Sequence, residues 1–194
     1  MFSLAQRFQT VSNQVVTYAC FIAAFVAITS WLQLAQNDAF SIPATINNIQ
    51  PSINVRTSRY YGSQNGKPKQ NSKIVFDIDA DLSSLFNWNT KQIFVYLTAE
   101  YSGSEGRDTL NEVTYWDKII TSKDDAQLSL HNAKSKYSVW DLEEKFDGRE
   151  ANFQLKWNIQ PWVGPLIYGQ TEGNKTITFP VIEKTQKKVK QKVV

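Results

Sequence analysis

From Phe8 to Asn37 the chain carries no charged side chain, and its apolar heart, Val15 to Leu34, reads VVTYACFIAAFVAITSWLQL. As a helix, about 20 residues rising ~1.5 Å each cover ~30 Å, the thickness of a bilayer's hydrocarbon core. A soluble amphipathic helix is a poor fit, because no polar face is left to meet water. Thr17 and Thr29 can bond back onto the helix, and Trp31 lies near one end, where an indole favours the membrane interface. The run exceeds the roughly 7–15 residues of a signal-peptide core. Gln33-Leu34-Ala35 and Asn37-Asp38-Ala39 also put bulky or polar groups at the outer position of a small-x-small cleavage site. A retained anchor over residues 15–35 is therefore expected, after a short N-terminus of residues 1–14. Leu4, Phe8, Val11 and Val15 share one helical face and read as the start of the same helix. Arg7 and the terminal amine precede the run and Asp38 follows it. The positive-inside tendency then puts the N-terminus in the cytosol and the rest of the chain in a lumen.

Beyond Ala39 the periodicity changes from helix to strand. Phe76, Ile78, Ala80 and Leu82 alternate with Asp77, Asp79 and Asp81, and Phe153, Leu155, Trp157 and Ile159 alternate with Gln154, Lys156 and Asn158. Ile93 to Leu97 is a continuous β-rich run, as a central strand would be. Ile53–Tyr61, Glu112–Ile120, Leu128–His131 and Thr176–Ile182 complete the strand candidates. Gly62 to Gly66, Ser102 to Gly106 and Gly169 to Asn174 read as turns between them. Only Ser138–Phe146, with Ser138 as a possible cap, invites a short helix. Aromatic residues make up 13% of the chain, enough to fill a core. The expectation is an all-β antiparallel sandwich over residues 36–183.

The formal charge is +3, but Lys184, Lys187, Lys188, Lys190 and Lys192 crowd a tail of residues 184–194. Without them the chain is slightly acidic, which argues against nucleic acid as a partner. The tail reads as a solvated, flexible end. Cys20 is the sole cysteine, so neither a disulfide framework nor a cysteine metal site is available. Asp77, Asp79 and Asp81 could contribute to a calcium site, but no EF-hand loop surrounds them, and a solvated strand face is the plainer account. His131, the sole histidine, would have to serve any Ser-His-Asp hydrolase, yet no Gly-x-Ser-x-Gly turn is present. No phosphate loop, dinucleotide fingerprint or histidine pair appears, so no catalytic, metal or cofactor-binding residue is assigned. Asn174-Lys175-Thr176 is an N-glycosylation sequon, expected in an accessible turn on the lumenal side. Trp88, within Asn87-Trp88-Asn89, and Trp162, within Pro161 to Pro165, sit in turn-like contexts. Each is a lid on the core or an anchor for a partner, and both are partner-contact candidates.

Four segments carry a resemblance: Ile53 to Tyr60, Phe86 to Gln92 continuing through Tyr96 to Tyr101, Trp116 to Ile120, and Trp157 to Trp162. On these the chain resembles the signal peptidase complex subunit 3 family, the glycoprotein subunits of the endoplasmic reticulum signal peptidase, in a fungal form. The resemblance implies a single-pass, non-catalytic subunit with a lumenal β-sandwich, glycosylated here at Asn174. It implies as partners a catalytic signal peptidase subunit, other subunits of the complex and membrane lipid, with signal-peptide-bearing nascent chains as a further contact. No cofactor is implied. Two other functions follow from the residues alone: a membrane-tethered hydrolase using His131, and a ligand-binding sandwich using Trp88 or Trp162.

Overall fold

The computed structural model describes residues 3–56, 69–103, 110–140 and 146–181. The uncharged run forms a single helix, α1 (Leu4–Gln36), which takes in Leu4, Phe8 and Val11. Ser3 caps its start by accepting from the Gln6 backbone N–H at 3.3 Å. The hydroxyls of Thr10, Thr17 and Thr29 donate to the carbonyls of Gln6, Asn13 and Phe25 at 2.8–2.9 Å, so they add no unmet polar group to the surface. The helix is long and apolar enough to cross a membrane, and only 6% of its most apolar window is buried within the protein. Its fully buried residues are Ser30 and Leu34, near its end, with Ala27 and Gln33 half-buried on the same stretch.

Eight strands follow among the described residues, in two antiparallel sheets. β1 (Ala44–Arg56), β2 (Lys69–Asp81) and β5 (Gln127–Lys134) form the first, with the short β6 (Val139–Trp140) also paired to β2. β4 (Leu110–Ile120), β3 (Thr90–Ser102), β7 (Glu150–Pro161) and β8 (Ile167–Thr178) form the second, in that spatial order. The two-residue periods place the core between them. Phe76, Ile78 and Leu82 meet Ile93, Val95 and Leu97 of β3 and Phe153, Leu155 and Trp157 of β7, all fully buried. Each such side chain contributes about 1.5–3 kcal/mol. The Ile93–Leu97 run lies inside its sheet, between β4 and β7, as its continuous β character implies. The all-β sandwich behind one helix is therefore the fold observed.

Three local expectations are corrected. Gly169 to Asn174 is strand, not turn, and β8 starts at Ile167 rather than Thr176. As an edge strand, β8 buries only Thr171 and so lacks the alternation that marks a half-buried strand. Its glycines serve close approaches. A Cβ on Gly169 would overlap the Trp157 ring. Gly173, at φ +110°, sits where a Cβ would overlap the Ala44 carbonyl, at a bulge opposite Leu155. The first strand begins at Ala44, well before Ile53, and its early half was hidden by Pro51 and by a bulge at Asn48, φ +51°. In Ser138–Phe146, the described residues Val139 and Trp140 pair with Ser72 and Asn71 as strand. Ser138 Oγ donates to Asn71 Oδ1 at 2.6 Å and caps no helix there. Residues 141–145, the 62–66 cluster and the lysine tail lie outside the described residues.

Candidate interaction site at the helix–sandwich joint

The last turns of α1 are held by the ends of β3 and β7. Leu34 is 1% exposed and Ser30 is 3% exposed. Asn87, in the turn before β3, donates from Nδ2 to both the Ser30 carbonyl (3.1 Å) and Oγ (2.9 Å). Asn87 Oδ1 in turn accepts from the Asn89 backbone N–H at 3.0 Å and lies 3.0 Å from Thr90 Oγ1. Asn89, 2% exposed, pairs with Val163 as a backbone would: Oδ1 accepts from its N–H at 3.0 Å and Nδ2 donates to its carbonyl at 2.8 Å. The Trp162 backbone N–H closes the set by donating to the Asn89 carbonyl at 2.8 Å. Buried amides are costly unless paired, so this network gives the joint a defined geometry. Gly164, at φ +120°, brings the 162–165 loop against Ala27, where a Cβ would approach the Ala27 Cβ to 3.0 Å. A crevice of about 240 Å³, lined by Ala27, Trp31, Val163 and Pro165 among others, lies between helix and loop. Above it Phe40 bridges Trp31 and core Trp157, with centroid distances of 6.4 and 5.9 Å.

Trp88 and Trp162 flank this joint and are 59% and 67% exposed, so most of each indole faces outward and not into the core. The Lys91 ammonium lies 5.2 Å from the Trp162 ring centroid. Val163 and Leu166 extend the apolar surface at the same end. Sequence reasoning picked out the two indoles but missed Ser30, Asn87 and Asn89. The available signal was a pair of asparagines bracketing a tryptophan in a turn, and a lone serine inside an apolar run.

The acidic face of β2 acts as a fastener. Asp77 Oδ1 accepts from the Asn132 backbone N–H at 2.6 Å and Oδ2 from Asn48 Nδ2 at 2.7 Å. Both asparagines have positive φ and lie at bulges in the two strands flanking β2. The Asn132 N–H, then the Asn48 amide, hold the Asp77 carboxyl below its ordinary range. Asp81 is likewise lowered by Ser83, whose backbone N–H it accepts at 2.9 Å. Asp79 Oδ1 accepts from Ser129 Oγ at 2.8 Å, and the same hydroxyl lies 3.2 Å from His131 Nε2. This order opposes hydrolysis: the carboxylate takes the serine proton instead of orienting the imidazole, and all three groups lie exposed. Among the described residues no cluster of three or more His, Cys, Asp or Glu is placed to hold a metal ion. Asn174 is exposed on β8 opposite Gln154, within a strand rather than a turn. Measured on the paired strand it is five residues, or about 17 Å, from the Ile167 end that faces the helix, since Asn174 pairs with Gln154 and Ile167 with Ile159.

Fold and joint together define a β-sandwich fastened to an N-terminal helix that is long and apolar enough to cross a membrane. A family model described as "Signal peptidase subunit" matches residues 1–182, anchor and sandwich together. Signal peptidase complex subunit 3 of Saccharomyces cerevisiae is 56% identical over 92% of this chain and 96% of its own length. The Debaryomyces hansenii protein of that name is 53% identical over 99% of this chain and all of its own. That of Drosophila melanogaster is 34% identical over 88% and 93%. The chain belongs to the signal peptidase subunit family.

Proposed function

We propose that this chain is a non-catalytic, single-pass subunit of the endoplasmic reticulum signal peptidase complex. Its N-terminus is cytosolic, α1 anchors it, and the sandwich stands in the lumen, where it supports and positions the catalytic subunit for signal-peptide removal. The observation that carries this reading is the family match across both anchor and sandwich. The joint supports it physically, because a domain fastened to its anchor holds a neighbour at a fixed height and angle. Asn174, exposed and remote from the helix end of its strand, is its N-glycosylation site. Trp88 and Trp162, bare beside the joint, are its contact residues on that end. Its partners are the catalytic and other subunits and lipid, with nascent chains passing close by.

Two measurements test this. The purified chain alone should show no signal-peptide cleavage, and mild-detergent isolation should bring the catalytic subunit with it; turnover by the chain by itself would refute the reading. For Asn174, Asn174→Gln should remove the mobility shift that endoglycosidase treatment produces; an unchanged shift would place the glycan elsewhere, and no shift in the unaltered chain would place the domain outside the lumen.

A further inference from the structure

The apolar tip beside the joint sits at a revealing height on α1. Gly164 packs on Ala27, nine residues before the helix ends at Gln36. At ~1.5 Å per residue the tip therefore hangs about 13 Å below the top of the helix. Trp88, Trp162, Val163 and Leu166 are all bare at this end, and they continue the apolar surface that Phe21, Phe25 and Ile28 present on the helix. Counting down from Ala27, about 20 residues (~30 Å, one hydrocarbon thickness) end at Phe8, with Arg7 the next residue. Two independent markers, a cation at one end and two tryptophans with a lysine at the other, thus bracket one bilayer width.

We propose that the Trp88/Trp162 tip is a second membrane contact, seated in the lipid interface, and that it sets the register of the anchor so that Phe8–Ala27 crosses the hydrocarbon. This rests on the single-pass reading above and names the occupant of the tryptophan surface as lipid. The hydropathy peak, Val15–Leu34, suggests a register seven residues higher. That register would drag the 162–165 loop about 10 Å into hydrocarbon, together with turn backbone that no helix or closed barrel satisfies there. In the lower register Ile28–Gln36 stands above the hydrocarbon, and the sandwich covers Ser30 and Leu34 in place of lipid. The Lys91 ammonium over Trp162 then lies at headgroup level, where its charge is solvated.

The test is nitroxide depth measurement on the full chain in phosphatidylcholine–phosphatidylserine vesicles, with oxygen and a nickel chelate as relaxants. One sample carries the label on native Cys20, which is exposed on the helix. The others lack that thiol and carry single cysteines at Trp88→Cys, Trp162→Cys, Leu166→Cys or Asp79→Cys. Tip labels should show an oxygen-to-nickel ratio severalfold above Asp79→Cys. A scan along the helix should be deepest at Thr17–Tyr18. Tip labels as wet as Asp79→Cys while Cys20 reads deep, or a scan deepest at Ala24–Phe25, would overturn the proposal and leave the anchor standing. A wet Cys20 would overturn both. Tip labels shielded only once the catalytic subunit is added would assign the surface to protein instead. Leu166→Cys and the helix scan keep both tryptophans in place, so loss of the tip itself cannot mimic failure.

Discussion

Asn89 shows how one side chain can stand in for a strand. Its amide makes both bonds that a backbone unit would make to Val163, and burial raises the cost of losing either. Asn89→Ala should destabilise the protein by about 2–3 kcal/mol, read as a lowered denaturation midpoint in detergent. Asn87→Leu, which strips the donor from buried Ser30, should cost about 1–3 kcal/mol by the same measurement. Asp77 acts through protonation instead. Its folded pKa lies below its unfolded one, so its contribution is present above the unfolded value and fades as pH falls through the folded one. The expected signature is a melting temperature that drops below about pH 4 in the wild type. Asp77→Asn should be less stable at neutral pH, with the gap closing in acid. His131→Ala and Ser129→Ala should leave signal-peptide cleavage by the assembled complex within about twofold, since their geometry activates no nucleophile.

Among the elements, the strands that the sequence displays and those it hides differ in one respect. β2 and β7 bury one face each, so their alternation is readable, and Phe76, Ile78, Phe153 and Trp157 lie where that period puts them. β8 and the early half of β1 are edges, anchored by backbone pairing and by each other through Pro43 and Glu172, and little in their side chains announces it. Gly169 illustrates the point: it reads as a turn residue locally, yet it is required because the Trp157 ring of the neighbouring strand lies against it. Gly169→Ala should destabilise by about 1–3 kcal/mol through this overlap, seen in chemical denaturation, although alanine otherwise costs less backbone entropy in a strand than glycine.

For the whole molecule, the helix end belongs to the sandwich as much as to the anchor. Leu34, Ala39 and Ile42 are all 2% exposed or less and share one core with both sheets. A chain beginning at Ile28 should melt well above one beginning at Asp38, since the shorter one loses the Leu34 contact, worth about 1.5–3 kcal/mol, and the Ser30 joint. Equal melting curves would show that the joint contributes nothing to the fold.

The sequence by itself determined that there is an apolar helix long enough to span a bilayer and a β domain with an aromatic core, and it carried the family segments. Composition and period over a dozen residues are sufficient for that, because local windows set transfer energy and which face is buried. Only the tertiary structure decided that Asn87 meets Ser30 across 57 residues, that Asn89 meets Val163 across 74, and how far down the helix the tryptophan tip reaches. Such pairings are fixed by the path of the chain and the packing of whole sheets, and no local pattern encodes them.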